Sequence, residues 1–167
     1  MKKLLPVTLS AIMFLSVFFA GSASTVTAQE PKILEFDTMV GVPSNFTGAQ
    51  VSPAFRGINA GGAPWTLTSA RGELTASGHL EIEVVGLVIT TSGSNPSANF
   101  RGLVSCINSS GTPENVLTGN FPATTGPAIS GGGNAKIEAD LTLPHPCFAP
   151  IVFVTSGGGN WFAVTGN

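Results

Sequence analysis

Hydrophobic and polar residues alternate with period two wherever the chain is regular. In Ala135–Leu143 (AKIEADLTL), Ala135, Ile137, Ala139, Leu141 and Leu143 fall on one face, and Lys136, Glu138, Asp140 and Thr142 on the other. Successive strand side chains point to opposite faces, so this alternation predicts a half-buried strand. His79–Thr90 begins the same way, with Leu80, Ile82 and Val84 opposed to His79, Glu81 and Glu83. Runs at 33–40, 65–75, 100–107, 115–120, 151–155 and 161–165 are further candidates. No window of useful length repeats apolar residues at helical spacing. About eight short strands punctuated by Gly, Pro, Ser and Asn predict an all-β fold, an antiparallel β-sandwich or barrel.

One hairpin can be read residue by residue. The stretch TSARGELTASGHLEIEVVG must reverse near Ala76-Ser77-Gly78. A two-residue turn at Ser77-Gly78 would set Leu74 against Glu81 and mix the faces. A three-residue loop with Gly78 left-handed pairs Leu74 with Leu80, Gly72 with Ile82 and Ala70 with Val84, which keeps one face apolar. Arg71 then opposes Glu83, an attraction of about 0.2–1 kcal/mol, while Glu73 and Glu81 repel.

The N-terminus changes the compartment and the charge. Met1-Lys2-Lys3 precedes an uncharged, mostly apolar run from Val7 to Ala20, and Val26-Thr27-Ala28 presents small residues where a signal peptidase cuts. The expectation is a secretory signal peptide at 1–28 and a single all-β domain at 29–167. The apolar run is short for a membrane span, and the mature part has no comparable run. Without Lys2 and Lys3, five Lys and Arg face nine Asp and Glu, a net charge of −4. Such a chain repels nucleic acid and anionic membranes.

Export also decides how the two cysteines are read. Cys106 and Cys147 are the whole complement and are expected to form one disulfide. Closing a loop of about 42 residues stabilises by about 4 kcal/mol in the chain-entropy description. A metal site from Cys106, Cys147, His145 and His79 lacks a Cys-x-x-Cys knuckle and is set aside. No metal and no cofactor is expected.

Catalytic patterns are weak. Glu73, Glu81 and Glu83 share one hairpin face, and a carboxylate pair can hydrolyse glycosides if one member is buried enough to keep its proton. Beside Arg71 they read instead as the solvated face of a strand, as do Glu138 and Asp140. His79 and His145, with Asp37 or Asp140 and a serine, could form a triad only by meeting in space, since no Gly-x-Ser-x-Gly elbow occurs. SGGGN occurs at Ser130–Asn134 and Ser156–Asn160, each before a strand. Neither is followed by the Lys-Ser or Lys-Thr of a phosphate loop, so both read as a hairpin loop or strand entry. The second is expected to join 151–155 to 161–165 as a final antiparallel hairpin.

Trp65 and Trp161 each begin a strand after a glycine-rich loop. Exposed at a sheet edge, either could stack on a sugar or anchor a partner, and buried, either fills the core. Asn45-Phe46-Thr47 and Asn108-Ser109-Ser110 are glycosylation sequons.

The segments NFRGLVSC, LPHPCFAPIVFVTS and WFAVTG, with MVGVP and GGAPW before them, resemble a group of small exported bacterial proteins that has no assigned function. The resemblance spans most of the mature chain, implies a secreted β-rich domain with one disulfide, and carries over no catalytic residue. GELTASGHLEIEVVGL is similar to repeats of extracellular CHRD domains but lacks their histidine motif. The reading that follows is an exported, non-enzymatic binding or structural module, its partner cell-wall polysaccharide or an extracellular protein. The alternatives are a small extracellular hydrolase using Glu81, Glu83 or the histidines, and a secreted inhibitor or protein-binding domain using a loop such as TTSGSNPSAN (90–99).

Overall fold

The computed structural model describes residues 30–47 and 54–165, so the segment read as a signal peptide lies outside the described residues. Among the described residues there are fourteen strands and no α-helix. β1 (Lys32–Phe36), β4 (Ser69–Thr75), β5 (His79–Val85) and β12 (Ala135–Asp140) form a front sheet in the order β1-β4-β5-β12. A central sheet runs β10 (Phe121–Pro122), β8 (Asn99–Ile107), β13 (Phe148–Thr155), β14 (Trp161–Thr165) and β2 (Met39–Gly41). β9 (Pro113–Leu117) also pairs with β8. A small sheet runs β11 (Gly126–Pro127), β7 (Ser94–Asn95), β6 (Val88–Ile89) and β3 (Trp65–Thr66). Every strand pair is antiparallel, and each sheet is open-ended, so this is not a closed barrel.

Three of the apolar runs are each divided between two strands. The run at 33–40 breaks at Asp37-Thr38, giving β1 to the front sheet and β2 to the central one. The runs at 65–75 and 79–90 break side by side, at Leu67-Thr68 and Gly86-Leu87. Thr68 N donates to Val85 O across the break, and Gly86 holds a positive φ of 67°. The β4–β5 hairpin therefore bends as a unit and continues as β3–β6. Periodicity alone does not mark such a bend, because the alternation carries on through it.

The hairpin register follows the three-residue loop. Leu74 pairs with Leu80, Gly72 with Ile82, Ala70 with Val84, Arg71 with Glu83 and Glu73 with Glu81. Gly78 has φ +97°, and its N–H donates to Thr75 O. On the inner face Leu74, Leu80, Ile82, Val84 and Ile137 are each at most 1% exposed and join Phe100, Val104, Val152 and Val154 in one cluster. Gly102 of β8 lets the two sheets close, since a Cβ there would lie 2.9 Å from Leu80 and 3.3 Å from Ile137.

The other face of the central sheet is buried too. Phe55 packs edge-on against Phe153 at 5.7 Å, and Phe46 against Trp161 at 5.8 Å. These contacts lay Phe46 and Phe55, from the described stretches 42–47 and 54–64, over the sheet as a third layer. It explains why β8 is buried on both faces over Gly102–Cys106.

At the C-terminal end β13 and β14 form the expected hairpin, with Phe153 opposite Val164 and Val154 opposite Ala163. Ser156 N donates to Asn160 O and closes the loop. A disulfide joins Cys106 of β8 to Cys147, just before β13, and leaves no free cysteine among the described residues. No helix among the described residues is long and apolar enough to cross a membrane.

Candidate functional site

The outer face of the front sheet gathers most of the chemistry. Glu35, Glu73, Glu81 and Glu138 stand directly opposite one another on four neighbouring strands, so four carboxylates form one row across the sheet. Neighbouring strands lie about 4.8 Å apart, and such a row repels itself unless cations interleave. Lys32 bridges the first two, at 3.1 Å from Glu35 and 2.6 Å from Glu73. Lys136 bridges the other two, at 3.1 Å from Glu81 and 3.0 Å from Glu138. Both ammonium groups titrate above the ordinary lysine value, Lys32 chiefly through its hydrogen bond to Glu73 and Lys136 through Glu138. In the adjacent row Arg71 Nε donates to Glu83 at 2.8 Å. With Asp37 and Asp140 the face carries seven carboxylates against three cations, a net of −4. The remaining charged groups between 30 and 165, Glu30, Arg56, Arg101 and Glu114, cancel.

An open groove of about 700 Å³ crosses this face, with Glu35, Asp37, Arg71, Glu73, Glu81 and Glu83 on its walls. Glu81 and Glu83 are there, but their side chains are 41% and 46% exposed and salt-bridged. Neither sits in the apolar pocket that keeps a carboxylic acid protonated for glycoside cleavage.

His79 and Asp140 meet as a cross-strand pair at the next row, with Nδ1 and Oδ1 2.8 Å apart. The hydrogen bond to Asp140 raises the His79 pKa above its ordinary value. This is the contact by which an aspartate orients a histidine in a hydrolase. The serine is missing from it: Ser77, the nearest in sequence, bonds Glu30 and Thr75 instead. His145 lies exposed in the connection from β12 to β13 and belongs to no strand. The four-ligand metal idea fails because the disulfide consumes both thiolates.

Of the two alternatives the sequence leaves open for the tryptophans, both take the core one, so neither offers a binding face. Trp65 is 6% exposed and stacks on Phe162 with ring centres 3.9 Å apart. Trp161 is 3% exposed, wedged between Phe46 and Phe153. Gly61, in the glycine-rich approach to Trp65, lies close over its ring, where a Cβ would fall 3.0 Å from Trp65 Nε1. Asn108 of the second sequon accepts from Ser110 N, Thr112 N and Thr112 Oγ1, which ties its side chain into the turn.

The large apolar groups that do face water are others. Ile129 is 97% exposed, Phe148 58% and Val40 53%. Nothing in their sequence context distinguishes them from buried neighbours. Ile129 lies in PAISGGG with a proline before and glycines after, a pattern that marks a loop but not its tip. The loop 90–99 is partly structural, since Asn95 is buried and donates to Ser97 O and Thr124 O, each at 2.8 Å.

No family model, curated protein or solved structure matches this chain.

Proposed function

We propose that this chain is an exported, non-enzymatic binding or structural module that meets an extracellular or cell-wall partner through its surface. The observation that carries the reading is the openness of the charged face. Glu35, Glu73, Glu81, Glu83 and Glu138 are each bridged to a cation on the outer face, and His79 is paired with Asp140, while large apolar side chains stand exposed elsewhere. The disulfide fits an oxidising compartment, and the leader-like residues 1–28 fit delivery there. The His79–Asp140 contact favours the second reading, a small hydrolase. Assays of purified protein on ester, peptide and glycoside substrates, beside cosedimentation with cell-wall polysaccharide and extracellular protein, separate the two. Retention without turnover is the expected result. Turnover abolished by His79→Ala in a folded variant overturns it in favour of the hydrolase.

A further inference from the structure

Arg56 and Ala149 are the non-glycine residues with a positive φ among the described residues, at 55° and 43°. A Cβ makes that region costly, and such outliers persist only where the surroundings hold them. Here they hold each other. Arg56 Nη2 donates to Ala149 O at 3.1 Å, across 93 residues of sequence. Arg56 is the first central residue of a two-residue turn, closed by Phe55 N to Ile58 O and Ile58 N to Phe55 O. Gly57 beside it also has a positive φ, of 80°, an arrangement that favours Asn-Gly over Arg-Gly.

The turn lies over the outer face of the central sheet. Phe55 packs on Phe153 of β13, and Asn115 Nδ2 of β9 donates to Arg56 O at 3.0 Å. β8 runs between β9 and β13, so the Arg56 side chain crosses β8 to reach Ala149. Little else holds the guanidinium. Ala149 O is the one acceptor it meets among the described residues, and Nη1 is buried without a partner. Ser105 Oγ, on the strand beneath, is buried and unpartnered as well. Such groups regain water when the cover lifts, so they favour opening. Downstream the chain is tied, because Trp161 N donates to Asn59 O and Gly61 N to Trp161 O. Phe55–Gly57 can therefore lift about the buried Ile58.

The acceptor end is set by the disulfide. Ala149 follows Cys147 by two residues, in the bulge between Phe148, opposite Ile107, and Ile151, opposite Ser105. Cys147 is bonded to Cys106, next to Ile107, which clamps the start of β13 onto the end of β8. We propose that the disulfide locks the Phe55–Ile58 turn through the Ala149 bulge, and that a dithiol reductant releases the turn while the sheets stay paired. Cys106 is fully buried and Cys147 partly, so the reductant's thiolate attacks Cys147 Sγ and expels Cys106 as a thiolate. The reductant's second thiol then displaces Cys147 and closes its own disulfide. Two electrons and two protons pass to the protein, and both cysteines end as thiols. Freed from Cys106, the bulge relaxes from the positive φ at Ala149, its carbonyl leaves Arg56, and the turn opens over Phe153. The cover lies on the side away from the charged face, and it works whether the chain is a binding module or a hydrolase.

The test follows amide hydrogen exchange by NMR at low urea, where exchange independent of denaturant marks local opening and dependent exchange marks global unfolding. In the oxidised parent, Phe55 and Ile58 should exchange locally and the β4–β5 amides globally. Cys106→Ala with Cys147→Ala should speed Phe55 and Ile58 about tenfold, the scale of one hydrogen bond from a charged group, and leave their exchange local. Arg56→Met keeps the stem and removes the donors, so it should do the same alone. Added to the cysteine pair it should change little, because both break one link. If the cysteine-free chain does not fold, pulse labelling of the parent during dithiothreitol reduction replaces it, and the turn should lose protection before β4–β5. Unchanged turn exchange on loss of the disulfide, additive effects of the two changes, or loss of protection in turn and hairpin together overturns the lock.

Discussion

Leu80 and Glu81 are adjacent in β5 and point to opposite sides of the front sheet. Leu80 is fully buried between the sheets, and Leu80→Ala should cost about 2–5 kcal/mol in denaturant unfolding through lost contacts and the cavity left behind. Glu81→Gln, one residue on, should stay within about 0.5 kcal/mol, because its partner Lys136 keeps Glu138. The His79–Asp140 pair makes a pH-dependent contribution with a definite sign. The folded-state pKa of His79 lies above the unfolded value of 6.5, so the contribution is complete below pH 6.5 and is lost as pH rises through the folded pKa. Asp140→Asn should lower the melting temperature more at pH 6 (~6, between the carboxylate and histidine ranges) than at about pH 8.5. The difference should amount to less than about 1 kcal/mol, because both groups face water. An equal drop at both pH values would mean that the pair contributes by packing or geometry and not by charge.

Among the elements, the β4–β5 hairpin was legible to the residue because its turn and alternating faces admit one register that keeps Leu74, Gly72 and Ala70 together. The final hairpin was legible for the same local reason, and β12 over Ala135–Asp140, although its alternation runs on to the buried Leu141 and Leu143 beyond the strand; the disulfide was legible because only two cysteines exist. The two-residue strands β7, β10 and β11 were not, since two residues carry no period and exist only where a distant strand supplies hydrogen bonds. Gly72 shows how tightly the hairpin is drawn. A Cβ there would lie 2.2 Å from Glu81 O and 2.6 Å from Phe36, so Gly72→Ala should destabilise by about 1–3 kcal/mol, measured by the denaturation midpoint. Replacing both cysteines by alanine should cost about 2–4 kcal/mol, read as a fall in melting temperature that reductant reproduces in the parent.

For the molecule as a whole, segregation of charge decides what the surface can do. The row Glu35–Glu73–Glu81–Glu138 was not readable from sequence, because β1 and β12 come from opposite ends of the chain and only the fold sets them on either side of β4–β5. Burial of Trp65 and Trp161 was hidden for a related reason. The central sheet is covered on both faces, and the covering residues Phe46 and Phe55 lie in stretches with no alternation to announce them. The alternation marked the polar side of the half-buried front sheet correctly, and that side carries all of the net charge of the described residues.

β14 lies in the middle of the central sheet, with β13 on one side and β2 on the other. Truncation after Gly158 therefore removes an interior strand and leaves β2 without its partner, and the shortened chain should show no cooperative melting transition. The same placement governs timing. β2 lies near the start of the described residues and its strand partner β14 near their end, so nearly all of the described chain must be made before the two can pair. Until Trp161–Thr165 is available, the edge of the central sheet at Met39–Gly41 therefore stays unpaired.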